Sequence, residues 1–180
     1  MNGGLIIFYK KTNLGKFTEK LVIQACEVYA AERVANIDKI STPLKIIGSY
    51  DTYLLAVPEK KSTIDFMGEY KGIPFAMEVK ETSNKTTYPL DPWDREQHQR
   101  DFLSRWNGYA YYLIGFWKLN EFYLLSAADY EKVFVNATIS RKKSIKIAWF
   151  RDNARIISFK KGFLDFLGVT NSCDQRKVAL

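Results

Sequence analysis

Two runs of residues, 64–70 and 73–80, flank the dipeptide Lys71-Gly72, and their alternation admits one pairing. With Lys71-Gly72 as a two-residue turn, Ile64 faces Val79, Phe66 faces Met77, Gly68 faces Phe75 and Tyr70 faces Ile73. That side is apolar or glycine throughout and belongs against a core. The other side pairs Thr63 with Lys80, Asp65 with Glu78, Met67 with Ala76 and Glu69 with Pro74. A slip of one residue would mix the two sets, so the register is well specified.

This register sets Asp65 directly opposite Glu78, with Cβ atoms about 4.5–5.5 Å apart, where like charges repel. Either one carboxyl keeps a proton or a cation sits between them. Lys80 projects from the same strand face as Glu78. Two carboxylates and a lysine so placed could hold Mg²⁺, orient a water and steady developing charge on a phosphate. The bare spacing is also compatible with an ordinary solvated face.

Around the hairpin, residues 17–36 place Phe17, Leu21, Val22, Ala25, Val28 and Tyr29 at helical spacing. Residues 44–57 read as extended and carry only Lys45 and Asp51 as charges. Asp91-Pro92 is expected to open a polar helix over 91–106. Residues 109–117 read as a buried strand with 121–125 as its hairpin partner, followed by a helix over 127–136. Residues 144–150 and 155–159 read as late strands and 161–167 as a last helix. A mixed sheet with helices on both sides makes an α/β fold.

The 180 residues hold 27 Lys+Arg against 20 Asp+Glu, a net charge of +7, and a single His. Within 132–161, nine basic residues face Asp152 alone, a net +8, so the excess lies in one stretch. It is either the solvated side of a strand pair or a phosphate-contacting surface. Two Cys exclude a disulfide scaffold and a four-cysteine zinc site. The lone His98 excludes zinc sites that need two His, and there is no P-loop and no G-x-S-x-G. The longest apolar run, 109–117, is too short for a bilayer, which takes about 20 residues. No secretory signal is recognisable, and the expected location is cytoplasmic.

The wording around the hairpin is more specific than its spacing. Residues 62–72 (STIDFMGEYKG) and 75–90 (FAMEVKETSNKTTYPL) resemble the RecU Holliday-junction resolvases of low-GC Gram-positive bacteria and their phages. That family belongs to the PD-(D/E)XK, or restriction-endonuclease-like, nuclease superfamily. The resemblance extends to Asn13-Leu14-Gly15-Lys16-Phe17-Thr18-Glu19, Thr42-Pro43, Glu96-Gln97 and the basic run 141–146. It implies a mixed β-sheet flanked by helices with a protruding β-stalk, here 48–58. A single nuclease domain is expected over 13–170, with an N-terminal arm over 1–12 and a flexible tail over 171–180.

The resemblance also implies a homodimer that cuts branched DNA, the four-way junction, symmetrically with Mg²⁺ or Mn²⁺, alongside recombination proteins. Asp65 and Glu78 match metal carboxylates, with the Val79 carbonyl as a third ligand. Lys80 matches the catalytic lysine, Glu19 a helix glutamate completing the site and Gln97 a helix position facing it. Lys85 and Thr86 are expected beside the scissile strand. Arg141, Lys142, Lys143 and Lys146 are expected on the DNA backbone. Tyr50 and Tyr53, on a stalk without basic residues at its middle, are expected to stack at the branch point. Two other readings stay open: a related nuclease for flaps, nicks or restriction-type sites, and a non-catalytic junction-binding or recombination-modulating protein.

Overall fold

The computed structural model describes residues 5–6, 17–51, 53–59, 63–91 and 96–170. In chain order these form β1 (Leu5–Ile6), α1 (Phe17–Ala31), β2 (Ala35–Lys39), β3 (Leu44–Tyr50), β4 (Tyr53–Pro58), β5 (Phe66–Tyr70) and β6 (Ile73–Thr82). Then follow β7 (Thr87–Pro89), α2 (Gln97–Ser104), β8 (Tyr109–Phe116), β9 (Glu121–Ser126) and α3 (Ala127–Ile139). The last elements are β10 (Ser144–Lys146), α4 (Ile147–Asn153), β11 (Arg155–Ile157), β12 (Phe159–Lys160) and β13 (Phe163–Leu164).

Six strands make the central sheet in the order β11-β9-β8-β6-β5-β2. All neighbours are antiparallel except β6 and β8, which run parallel with α2 in the crossover between them. Both sheet faces are buried. On one, Val22, Ala25, Cys26 and Tyr29 of α1 pack on Phe66, Phe75, Met77 and Leu113, closed by Leu164 and Phe166. On the other, Leu103 of α2, Tyr130 and Phe134 of α3 and Phe150 of α4 pack on Ala76, Tyr112, Ile114 and Tyr123. The result is a mixed sheet flanked by helices, the α/β class expected. Among the described residues no helix is long and apolar enough to cross a membrane.

The 66–77 pairing is the expected one, from Phe66 with Met77 to Tyr70 with Ile73. Lys71 and Gly72 both have positive φ, 54° and 73°, as a twisted two-residue turn requires. Gly68 is needed for space. A Cβ there would come within 2.0 Å of the Asn36 carbonyl oxygen on β2.

Several expectations are corrected. The helix over 17–36 stops at Ala31. Arg33 turns left-handed with φ 55°, and the Val34 N–H bonds back to the Tyr29 carbonyl at 2.8 Å, freeing 35–39 as an edge strand. The polar helix spans Gln97–Ser104 with Glu96 at its N-cap, so Asp91 does not cap it, and Pro92 lies outside the described residues. Residues 144–150 split into β10 and α4. The last helix over 161–167 is instead the tight hairpin β12–β13, with Lys161 and Gly162 at positive φ.

The 44–58 segment forms a hairpin, β3–β4, joined in parallel by β1 from the N-terminal arm. Among the described residues this three-stranded sheet shares no ladder with the central one. Ile46 and Ile47, beside a register shift, are 59% and 61% exposed. Tyr50 and Tyr53 are partners at its tip, and Tyr53 is 37% exposed. The expected tail over 171–180 lies outside the described residues.

Candidate active site

The β5–β6 ladder ends at Phe66–Met77, so Asp65 and Glu78 are not cross-strand partners as expected. Asp65 instead stays with β2, its carbonyl accepting from the Ile40 N–H at 2.8 Å. Ile64 accordingly leaves the α1 face and packs in the cluster under α2 and α3. The Asp65 side chain closes the gap, its Oδ2 accepting from the Val79 N–H at 3.0 Å. In an extended strand the N–H and C=O of one residue share an edge, so the Val79 carbonyl lies on the Asp65 side of β6.

Glu78 sits beside Tyr112 of β8 and is 2% exposed. Its Oε1 lies 2.9 Å from Lys80 Nζ and accepts from Gln99 Nε2 at 2.6 Å. Its Oε2 is buried with no partner. Lys80 Nζ also donates to Gln99 Oε1 at 2.8 Å and pairs with Glu96 Oε1 at 2.8 Å. Beneath, Tyr112 stacks on Tyr130 with ring centres 3.8 Å apart. The Tyr88 hydroxyl bonds to Tyr130.

Electrostatics follow from burial. Glu78 is pushed up to about 8 by desolvation, with Lys80 opposing and Asp65 reinforcing. Asp65 is raised in the same way, held back by the Val79 N–H, Lys39 and Lys80 and pushed further by Glu19. For Lys80, burial works against the charge, but the Glu78 and Glu96 carboxylates prevail and hold its pKa above the ordinary value.

Glu19 lies at the rim, ion-paired to Lys39 and near enough to act on Asp65. Its helix is anchored there because Glu81 Oε2 accepts the Thr18 N–H at 2.8 Å, a carboxylate at a helix N-terminus. Among the described residues no three His, Cys, Asp or Glu side chains form a metal-holding group. A cation would therefore meet two carboxylates and backbone oxygen, a hard-oxygen set that suits Mg²⁺ or Mn²⁺. The orphaned Glu78 Oε2 fits that role.

Gln97 is corrected. It is exposed on α2, and Gln99, two residues along, is the amide that faces the site. Glu96 was likewise not expected there. The signal was present: 96 and 99 share a helix face at i, i+3 spacing, which 97 does not join.

The β7–β10 ladder sets Lys143 and Lys146 beside the 86–90 segment, while Tyr50 and Tyr53 lie apart on the β3–β4 hairpin. Lys146 pairs with Thr87, and the Ile147 N–H donates to the Thr86 carbonyl at 2.8 Å. The Lys143 carbonyl accepts from the Leu90 N–H at 3.0 Å. Lys85, Thr86, Arg141, Lys142, Lys143 and Lys146 are all exposed. The wider 132–161 stretch is not one surface. Arg151 is paired with Glu121, Lys132 with Asp129 and Lys160 with Asp165, while Arg155 donates to the Val169 carbonyl.

A family model described as Recombination protein U matches residues 13–172. The chain belongs to the RecU family. Its relatives include Holliday junction resolvase RecU of Bacillus cereus (strain B4264), 30% identical over 155 residues, covering 82% of this chain and 77% of the relative. The RecU protein of Bacillus mycoides (strain KBAB4) gives the same identity and coverage. That of Bacillus anthracis (strain A0248) is 32% identical over 142 residues, covering 74% and 70%. The RecU match takes in every element of the site, from Glu19 to Lys146.

Proposed function

We propose that this chain is a divalent-metal-dependent endonuclease that resolves four-way DNA junctions as a homodimer with a PD-(D/E)XK site. The observation that carries the reading is the buried, unpartnered Glu78 Oε2, on a carboxyl that feels the Asp65 charge, with Lys80 two residues along on the same strand face. The names of the RecU relatives supply the substrate class.

Asp65, Glu78 and the Val79 carbonyl would hold Mg²⁺ or Mn²⁺. Such an ion supplies Lewis acidity at a phosphoryl oxygen and a more acidic water. Lys80, held protonated, stabilises charge building on the phosphate as water attacks in line, and is no general base in this state. Gln99 ties Lys80 to Glu78 and fixes both. Glu19 tunes the Asp65 carboxyl from the rim. The β7–β10 surface binds backbone phosphates through Lys85, Thr86, Arg141, Lys142, Lys143 and Lys146, positioning DNA without reading bases. Tyr53 at the hairpin tip, 37% exposed, offers a stacking surface at a branch point.

A second reading, another branched or nicked target, is favoured by the hairpin itself, whose only basic residue over 44–58 is Lys45. The test uses a labelled mobile four-way junction and a matched duplex, with Mg²⁺ or EDTA, and wild type beside Asp65→Asn. Junction cutting that needs Mg²⁺ and Asp65 is expected. Equal cutting of both substrates removes the junction preference. Tight binding without cutting under any divalent ion assigns a non-catalytic role.

A further inference from the structure

An ammonium group has three donors, and all three of Lys80 are occupied. Glu78 Oε1 is at 2.9 Å, Gln99 Oε1 at 2.8 Å and Glu96 Oε1 at 2.8 Å. As the structure stands, Lys80 has no N–H left for a phosphate. One partner must leave before it can meet substrate.

The three partners are unequal. The Glu78 side chain is 3% exposed, and Gln99 is bonded to both Glu78 and Lys80, so these two hold each other in place. The Glu96 side chain is 39% exposed, far more open to solvent than that of Glu78. Glu96 precedes α2 with non-helical φ and ψ of −104° and 6°; its carbonyl accepts from the Gln99 N–H at 3.0 Å, but its side chain makes no capping bond to the helix. A glutamate at a helix N-terminus is ordinarily used by the helix; this one is turned to Lys80. Its carboxylate presents two anionic oxygens, as a phosphodiester does.

We propose that Glu96 is an internal competitor for DNA: its carboxylate occupies the place on Lys80 that a phosphate oxygen of the substrate takes, and it swings out when DNA binds. This rests on the reading of Lys80 as the phosphate-facing group. Glu96 is then a gating residue, and DNA held by the β7–β10 surface reaches Lys80 only after displacing it.

The test measures binding of a labelled four-way junction to the full chain in EDTA, so that no cutting occurs, across a salt series. Glu96→Gln is expected to tighten binding about threefold to fivefold, the size of a partly exposed ion pair. The log–log salt slope should stay close to that of wild type, because Lys80 meets the same phosphate in both complexes once Glu96 has swung out. Glu96→Asp, which keeps the charge but withdraws it from Nζ, should shift affinity the same way. Asp101→Asn, removing an exposed charge from the same helix, should not. In a Lys80→Met background Glu96→Gln should bring no tightening. Unchanged or weaker binding by Glu96→Gln, a tightening confined to Gln and absent in Asp, or one that persists without Lys80 overturns the proposal. A wild-type chain that binds no junction at all overturns the functional reading and this one with it. Thermal melts of each variant establish that it is folded.

Discussion

Gln99 donates to Glu78 Oε1 at 2.6 Å while its own oxygen accepts from Lys80 at 2.8 Å, so one amide orients both charged groups of β6. Removing a group that orients metal-facing ligands typically lowers activity about tenfold to a hundredfold. Gln99→Ala should lose junction cleavage on that scale, whereas Gln97→Ala should stay close to wild type. Single-turnover rates at saturating Mg²⁺ decide it.

The buried carboxyl of Glu78 gives the metal-free protein a pH dependence. Its pKa rises from an ordinary 4.5 to about 8 in the folded chain. Below 4.5 both states are protonated and the folded state keeps its full stability. Between 4.5 and 8 the unfolded chain releases the proton and the folded chain retains it, so stability falls as pH rises. Melting temperature in EDTA should therefore drop from about pH 5 to about pH 8, and Glu78→Gln should flatten the drop. Added Mn²⁺ should stabilise most at the alkaline end, where binding no longer has to expel a proton.

The basic surface predicts a salt signature. Lys142→Ala with Lys143→Ala should weaken junction binding and lower the log–log salt slope by about 0.9 for each phosphate left without its lysine. Arg151→Ala should leave the slope unchanged, because Arg151 is already engaged by Glu121 at 2.6 Å. Filter binding at several salt concentrations separates the two.

These contrasts mark what is legible in the sequence. The pairing of Phe66 with Met77 through Tyr70 with Ile73 is legible because period-two alternation and the Lys71-Gly72 turn agree. Its extension to Asp65 is not, since the departure of residue 65 toward Ile40 depends on where β2 ends. Asp65, Glu78 and Lys80 do converge, but by a side chain reaching a backbone amide, not by a ladder. Gln99 and not Gln97 shares a helix face with Phe102, Leu103 and Trp106 at i+3, i+4 and i+7, so the phase is legible in the apolar residues, whereas the resemblance alone points to 97. The charge run over 132–161 looks continuous because the acids that neutralise Arg151, Lys132 and Lys160 lie outside it, at Glu121, Asp129 and Asp165.

Close approach of β2 and β5 predicts the cost of one methyl group. Gly68→Ala would press a Cβ to within 2.0 Å of the Asn36 carbonyl oxygen. Such overpacking against backbone costs about 1–3 kcal/mol. Urea unfolding should show the loss. Gly72→Ala, which meets no atom within 4 Å and suffers only from its positive φ, serves as the comparison.

Beyond the end of the ladder at Phe66–Met77, a hydrogen bond from the Val79 amide to Asp65 joins the strand of one site carboxylate to the side chain of the other. The amide proton of Val79 is thus a clock for the site. Its exchange with deuterated solvent counts how often Asp65 lets go, separately from the unfolding of the sheet that Met77 reports.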